Sequence, residues 1–275
     1  MRIVVLCSSV YSETACAMAV QMAKLGHIPV GALTLPTLDR GTLLRKLGQW
    51  GARDVVHYAR TKLIPQSGDG RAHANNLHLQ PLLNREEGMF RSLREVASFY
   101  GFPVAVCNDQ NAPGSIAQLR EWSPDLIIFT GGNILRKQLL EVPRLGVLNA
   151  HLGLLPEVRG MSSPEWSLLK HIPVGVTIHY VDAGIDTGPV LRRSEFTDAA
   201  RCESLSDLRN RLIAFGIEKV AEVVDGLNRG TISATPQSAL DEDRQCFVMH
   251  EWLQARAAER LTTRRPAVVA ETANG

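Results

Sequence analysis

Residues Gly146–Leu191 read GVLNAHLGLLPEVRGMSSPEWSLLKHIPVGVTIHYVDAGIDTGPVL. The stretch opens on a short apolar run that delivers Asn149 and His151, two positions apart. On an extended strand, alternate side chains share a face, so these two point the same way. A second apolar run, Gly175–His179, carries Thr177 and His179 with the same spacing. Asp186 follows in the glycine-bounded loop Ile-Asp-Thr-Gly-Pro, which can close on the pair. An amide donor, an imidazole and a carboxylate meeting at one point suit acyl transfer. The amide stabilises a developing oxyanion, and the imidazole moves a proton near neutral pH.

Working outward, short apolar runs alternate with amphipathic ones. Strands are expected at Arg2–Leu6, His27–Leu35, Phe102–Cys107, Asp125–Thr130 and Gly146–Asn149. Helices are expected at Ser12–Leu25 with Gly26 as stop signal, Glu86–Tyr100 stopped by Gly101, Pro113–Trp122 and Leu135–Leu140. This rhythm predicts an α/β fold with a doubly wound, mostly parallel sheet. Two regions break it. Pro36–Asn84 holds one helical pattern, Thr42–Gly51, followed by the polar stretch SGDGRAHANN, and reads as an insertion or lid. After Ala200 comes a long periodic helix, Leu205–Leu227, with Leu208, Leu212, Phe215, Ile217, Val220 and Val224 on its apolar side. That helix can pack on its own sheet or on a second copy, which leaves a homodimer open. The expected domains are a catalytic domain over 1–200 with the 36–84 insertion, a C-terminal helix and subdomain over 201–261, and a disordered tail over 262–275.

With 275 residues and 45% hydrophobic content the chain can build a sizeable core. A net charge of +2 gives no bulk case for nucleic-acid binding. The five cysteines, Cys7, Cys16, Cys107, Cys202 and Cys246, are scattered and form no C-x-x-C pair, so reduced thiols in a cytoplasmic protein are expected. The N-terminal run MRIVVLCSSV lacks a small-residue cleavage pattern and reads as a first strand. No apolar run reaches the roughly 18 to 20 residues of a membrane span, so no membrane partner is expected. Clustered Cys or His at metal spacing is absent from the sequence, so no metal is expected.

The motif order resembles the folate-dependent formyltransferase family, which includes glycinamide ribonucleotide, methionyl-tRNA and nucleotide-sugar N-formyltransferases. That signature runs N-x-H-x-S-L-L-P, R-G, G-V-T-x-H, D-x-G-P. Here it is Asn149–Pro156, then Arg159-Gly160, Gly175–His179 and Asp186–Pro189. Gly153 stands where the commonest family residue is Ser, a departure expected to matter little. The resemblance is dense from Thr130 to Leu191 and weakens in Pro36–Asn84 and beyond Ala200. It implies that 10-formyltetrahydrofolate gives its formyl group to a primary amine through a tetrahedral intermediate. Asn149 would stabilise the oxyanion, His151 would move the proton, and Asp186 would orient and balance His151. It also implies folate contacts at Gly132, Asn133, Ile134 and Leu135 and at Val181, Asp182, Gly184 and Ile185. Substrate contacts would fall at Ser8, Ser9, Arg159, Gly160 and His179.

Read singly, each residue has a plainer role: Asn149 or Asp186 as turn formers, His151 or His179 as hydrogen-bonded structural histidines, Ser8 and Ser9 as helix caps, and Arg159 as a surface arginine. Trp166 can stack on a substrate ring or sit in the core. His73, His78 and His171 read as loop residues. On the acceptor, residues 201–275 carry ten Lys and Arg against eleven Asp and Glu, a poor match to tRNA phosphates. The tail is also short for the barrel domain of methionyl-tRNA enzymes. The expected acceptor is a small-molecule amine, such as an amino sugar or a modified amino acid, with no nucleic acid. A 10-formyltetrahydrofolate hydrolase and a non-catalytic ligand-binding protein on the same scaffold are the alternatives.

Overall fold

A computed structural model describes residues 1–36, 76–238 and 245–263. The helix expected at Thr42–Gly51, His73, and the tail beyond Thr263 lie outside the described residues, as does most of the insertion. The chain divides into two compact units, Met1–Val147 and Leu148–Gly275.

In the first unit, β1 (Ile3–Cys7) is buried along its whole length. The Ser12 hydroxyl accepts from the Ala15 N–H at 3.2 Å and so starts α1 (Glu13–Lys24). Gly26, with φ 80°, ends that helix. β2 is shorter than the apolar run suggested, Gly31–Thr34. At Gly31 a Cβ would lie 2.5 Å from the Trp122 ring, so only glycine lets the strand pass beneath the indole. A single 3-10 turn, Leu77–Leu79, leads into α2 (Gln80–Leu83) and a small hairpin of β3 (Asn84–Arg85) and β4 (Gly88–Met89). The helix expected from Glu86 begins only at Leu93: α3 is Leu93–Tyr100. Ser92 caps it by accepting from the Glu95 N–H, and Glu95 in turn accepts from the Arg91 N–H, so the chain before Ser92 is left to the hairpin. β5 (Val104–Val106), α4 (Pro113–Trp122), β6 (Leu126–Phe129) and α5 (Lys137–Leu140) complete the unit.

These strands run parallel in the order β6-β1-β2-β5, with Val4 opposite both Gly31 and Ile127. The chain steps outward from β1 to β5, then returns to the far side of β1. That reversal makes a switch point between the carboxyl ends of β1 and β6, where open α/β sheets leave a crevice. A Cβ on Gly131, just after β6, would lie 3.6 Å from the Ser8 hydroxyl that follows β1.

β7 runs Gly146–His151, two residues beyond the expected end. In the second unit it is followed by β8 (Arg159–Gly160), α6 (Ser163–Leu169), β9 (Gly175–Tyr180) and β10 (Val190–Glu195). Here the strands are antiparallel: Asn149 stands opposite His179, and His151 opposite Thr177. The connection from β9 to β10, residues 181–189, is too short for a parallel crossover, which takes a dozen residues or more. The parallel expectation thus holds for the first unit and gives way here, and the fold as a whole keeps its mostly parallel α/β class.

α7 (Leu205–Arg229) starts at the Ser204 cap and ends at Gly230. Leu208, Leu212, Ile217, Val220 and Val224 are buried, and each such side chain contributes about 1.5–3 kcal/mol. Phe215, expected on that apolar side, is only half-buried and instead meets Phe196, ring centroids 5.5 Å apart. α7 packs on β9 and β10 of its own chain. At Gly216 a Cβ would lie 3.4 Å from Ala150 and 3.6 Å from Val176, so the helix covers the sheet face opposite Asn149 and His151. β11 (Gln245–Cys246) pairs in parallel with β8, and α8 (Glu251–Thr263) packs on α6. Among the described residues no helix is long and apolar enough to cross a membrane.

Candidate active site

β7 and β9 bring Asn149, His151, Thr177 and His179 onto one face, because cross-strand partners share a side. Asn149 Nδ2 lies 3.3 Å from His179 Nε2. The loop after β9 places Asp186 between the two histidines: Oδ2 is 3.3 Å from His151 Nδ1, and Oδ1 is 3.5 Å from His179 Nε2. The Gly160 N–H donates to Asp186 Oδ2 at 2.8 Å. His151 is 6% exposed and His179 1%. The structure therefore gathers the three expected catalytic residues and His179 into one buried network within the second unit.

The partners fix the tautomers. His151 Nε2 lies 2.7 Å from the Val158 carbonyl, which can only accept, so Nε2 carries the proton. His179 Nδ1 lies 2.8 Å from the Tyr180 carbonyl and carries its proton likewise. His179 Nε2 is then an acceptor for one Asn149 amide hydrogen, and the second amide hydrogen remains for another partner. His151 Nδ1, facing the carboxylate, is where an extra proton would settle. Burial pushes the His151 pKa down, more than the neighbouring Asp186 and the Val158 carbonyl lift it. Burial also pushes the Asp186 carboxyl up. The neighbouring His179 and His151 rings and the Gly160 N–H outweigh it and hold Asp186 below the ordinary carboxylate range.

Supporting residues that sequence reading missed surround this network. Thr177 accepts from the Leu155 N–H at 3.0 Å and donates to the Gly153 carbonyl at 2.8 Å, pinning the turn after β7. At Gly153 a Cβ would sit 2.9 Å from His151 Nε2 and 3.1 Å from the Val158 carbonyl. A side chain at this position would therefore press on the imidazole where it rests on Val158. Gln237 donates to the carbonyls of Asp186 and Gly188. The spacing of Thr177 from His179 was a usable signal, whereas nothing in the sequence marks Gln237.

The remaining expected residues are placed as follows. Asn133 exchanges two hydrogen bonds with the buried Gln110, and Gln110 also donates to the Cys7 carbonyl. This fixes the Gly132–Leu135 loop in the first unit, with Ile134 exposed and Leu135 buried. Asp182 accepts from the Gly184 N–H and the Thr187 hydroxyl, which folds the Val181–Ile185 loop on itself and leaves Ile185 exposed. Ser9 accepts from the Tyr11 N–H, while Ser12 rather than Ser8 or Ser9 caps α1. Arg159 is buried in β8, and the Gly160 amide serves Asp186. Trp166 donates its indole N–H to the Phe247 carbonyl, and His171 takes φ 56° at a turn. Among the described residues no set of three His, Cys, Asp or Glu could hold a metal ion. None of the five cysteines is in a disulfide. Burial pushes the Cys16 thiol up to about 12 and raises Cys7, Cys107 and Cys246, so these are poor nucleophiles.

The sequence profile of the formyl transferase family matches residues 89–224, which include Asn149, His151, His179 and Asp186. Over that stretch the chain belongs to the formyltransferase family. A methionyl-tRNA formyltransferase of Geobacter metallireducens is 35% identical over 157 residues, 56% of this chain and 49% of that protein. One from Trichlorobacter lovleyi is 36% identical over 157 residues, 56% and 48% of the two chains. The chain thus spans about half the length of these curated relatives. A glycinamide ribonucleotide transformylase of Symbiobacterium toebii has the same fold, with a TM-score of 0.53 at 16% identity over 91% of this chain and 95% of that one. A sugar N-formyltransferase of a Shewanella species gives 0.54 at 12% identity over 95% and 88%. At those identities the likeness is one of fold.

Proposed function

We propose that this formyltransferase moves a formyl group from 10-formyltetrahydrofolate to a primary amine. The observation that carries the reading is the Asn149–His179–Asp186–His151 network. His179 holds one amide hydrogen of Asn149, and the other suits a formyl oxygen as negative charge builds on it. His151 receives the proton that the attacking amine must lose, and Asp186 lies where the resulting charge appears. At rest both His151 nitrogens are engaged. Proton exchange therefore runs through the Asp186 carboxylate, or through a ring that trades the Val158 carbonyl for the substrate. The loops at Gly132–Leu135 and Val181–Ile185, with Ile134 and Ile185 exposed, are the chain's candidates for the pterin. The same residues could spend the formyl group on water, which is the hydrolase reading.

Two observations bear on the acceptor. The relatives named methionyl-tRNA formyltransferase favour an aminoacyl-tRNA amine. The charge balance of residues 201–275, net −1, favours a small-molecule amine, because tRNA affinity rests on cationic contacts to phosphate. We take the small amine as the first reading, with the cytoplasm as its setting. The test mixes pure protein and 10-formyltetrahydrofolate with methionyl-tRNA, with a panel of amines, or with buffer alone, and follows tetrahydrofolate. Release that needs a small amine supports this reading, and release that needs methionyl-tRNA replaces the acceptor. Release in buffer alone indicates the hydrolase. No release under any condition overturns the proposal.

A further inference from the structure

Asp186 is held in a backbone conformation that a non-glycine residue adopts reluctantly, φ 55°. Such a residue keeps its place only where its surroundings over-determine it. One restraint is the Gly160 N–H on its carboxylate. The other comes from a segment 51 positions further along the chain. Thr235 and Val190 exchange two backbone hydrogen bonds of 2.8 Å, which lays residues around Thr235 along the exit of the Asp186 loop. Two residues on, Gln237 Nε2 lies 3.0 Å from the Asp186 carbonyl and 2.7 Å from the Gly188 carbonyl. Carbonyls only accept, so the NH2 end of the amide must face them, one hydrogen for each. The Gln237 Oε1 is buried and has no hydrogen-bond partner among the described residues, so among these the two carbonyls set the amide's orientation. Gly188 leaves the loop little freedom of its own, since a Cβ there would lie 1.9 Å from the Tyr180 carbonyl.

We propose that Gln237 is a positioning residue whose amide, bridging the Asp186 and Gly188 carbonyls, holds the Asp186 carboxylate against His151 and His179. The inference rests on formyl transfer at this site. The hydrogen bonds of the Gln237 side chain among the described residues go to backbone, so it acts through Asp186. Leucine has the bulk and no donor. Asparagine keeps the donor on a side chain one methylene shorter, and so reaches one carbonyl at best.

The test compares Gln237→Leu and Gln237→Asn with Gln254→Leu, which removes a similar amide-to-carbonyl hydrogen bond, to Met249, in the same unit. Thermal melting, kcat and KM with 10-formyltetrahydrofolate, and NMR titration of the His151 ring are measured on each full-length variant. The titratable groups facing that ring are Asp186 from the loop and His179 from β9. In Gln237→Leu, kcat falls about tenfold or more with KM little changed, and His151 titrates at lower pH than in the wild type because the Asp186 charge has moved away. Gln237→Asn falls between Gln237→Leu and the wild type, and Gln254→Leu keeps wild-type kcat and His151 titration. If Gln237→Leu and Gln254→Leu match in both, Gln237 is a structural residue and the inference is overturned. A wild type that transfers no formyl group sinks the proposed reaction, while the titration still decides the role of Gln237.

Discussion

At the scale of single residues, the chemistry depends on which hydrogens the network leaves free. Asn149 gives one amide hydrogen to His179 and keeps one, so its replacement removes a donor that is already oriented. Asn149→Ala is expected to lower kcat by about 100- to 1000-fold, the usual cost of losing one such donor. Melting should stay near that of the wild type, because the side chain is only half-buried. Wild-type turnover in this variant would mean that the oxyanion forms elsewhere. His151 makes a different point. Its Nε2 rests on the Val158 carbonyl beside residue 153, which has no side chain. Gly153→Ser puts a Cβ against the imidazole and is expected to drive the ring off that carbonyl. The measurement is the His151 Nε2–H proton resonance: sharp and slow to exchange in the wild type, broadened or lost in Gly153→Ser. An unchanged resonance would show that the turn yields instead of the ring. Asn149, His151 and Asp186 were legible in the sequence because their spacing alone puts two on one strand face and the third in a glycine-bounded loop. Gln237 and the Val158 carbonyl were not, since one is a long-range contact and the other is backbone.

At the scale of elements, the local signals were read where a cap or a stop stood at the boundary. Ser12, Gly26, Gly101 and Pro113 carried the starts and ends of three helices. A hairpin stands in place of the first turns expected from Glu86, because Ser92 rather than Glu86 sets the start of α3. Strand direction in the second unit was illegible because periodicity is the same for parallel and antiparallel strands, and only the short 181–189 connection could have told them apart. The short pairing of β8 with β11 shows how an element far along the chain reaches the site. At Gly160, with φ 90°, a Cβ would meet the Cys246 carbonyl at 2.3 Å, and the same residue's N–H holds Asp186. Gly160→Ala therefore forces the two strands apart and shifts the N–H that Asp186 accepts from. It is expected to cost on the order of 2 kcal/mol or more by urea unfolding and to lower turnover at the same time. A variant with wild-type urea midpoint and wild-type turnover would show that β8 and β11 part without consequence.

At the scale of the whole molecule, the buried histidine–carboxylate network couples stability to pH. The His151 pKa is depressed in the fold, so below its ordinary value near 6.5 the unfolded chain binds a proton that the folded chain refuses. Its contribution is thus complete above about pH 6.5 and is lost as pH falls toward the folded value. Asp186 is depressed as well, and its contribution is present above the ordinary carboxylate value near 3.8 and is lost only below that. Between pH 7.5 and 5.5 the two do not compete, because only His151 titrates in that window. The fold is therefore expected to weaken by up to about 1 kcal/mol over those two pH units on account of this residue. Other histidines add their own terms, so the measurement is a difference. The drop in melting temperature from pH 7.5 to 5.5 should be smaller in His151→Gln than in the wild type. It should be unchanged in Asp186→Asn only if Asp186 has no hold on His151. The geometry requires otherwise: removing the carboxylate charge takes away what lifts the His151 pKa, so the neutral ring becomes more favoured and the acid sensitivity of Asp186→Asn extends to lower pH. A drop of the same size in the wild type and in His151→Gln would mean that His151 titrates as freely in the fold as in the open chain.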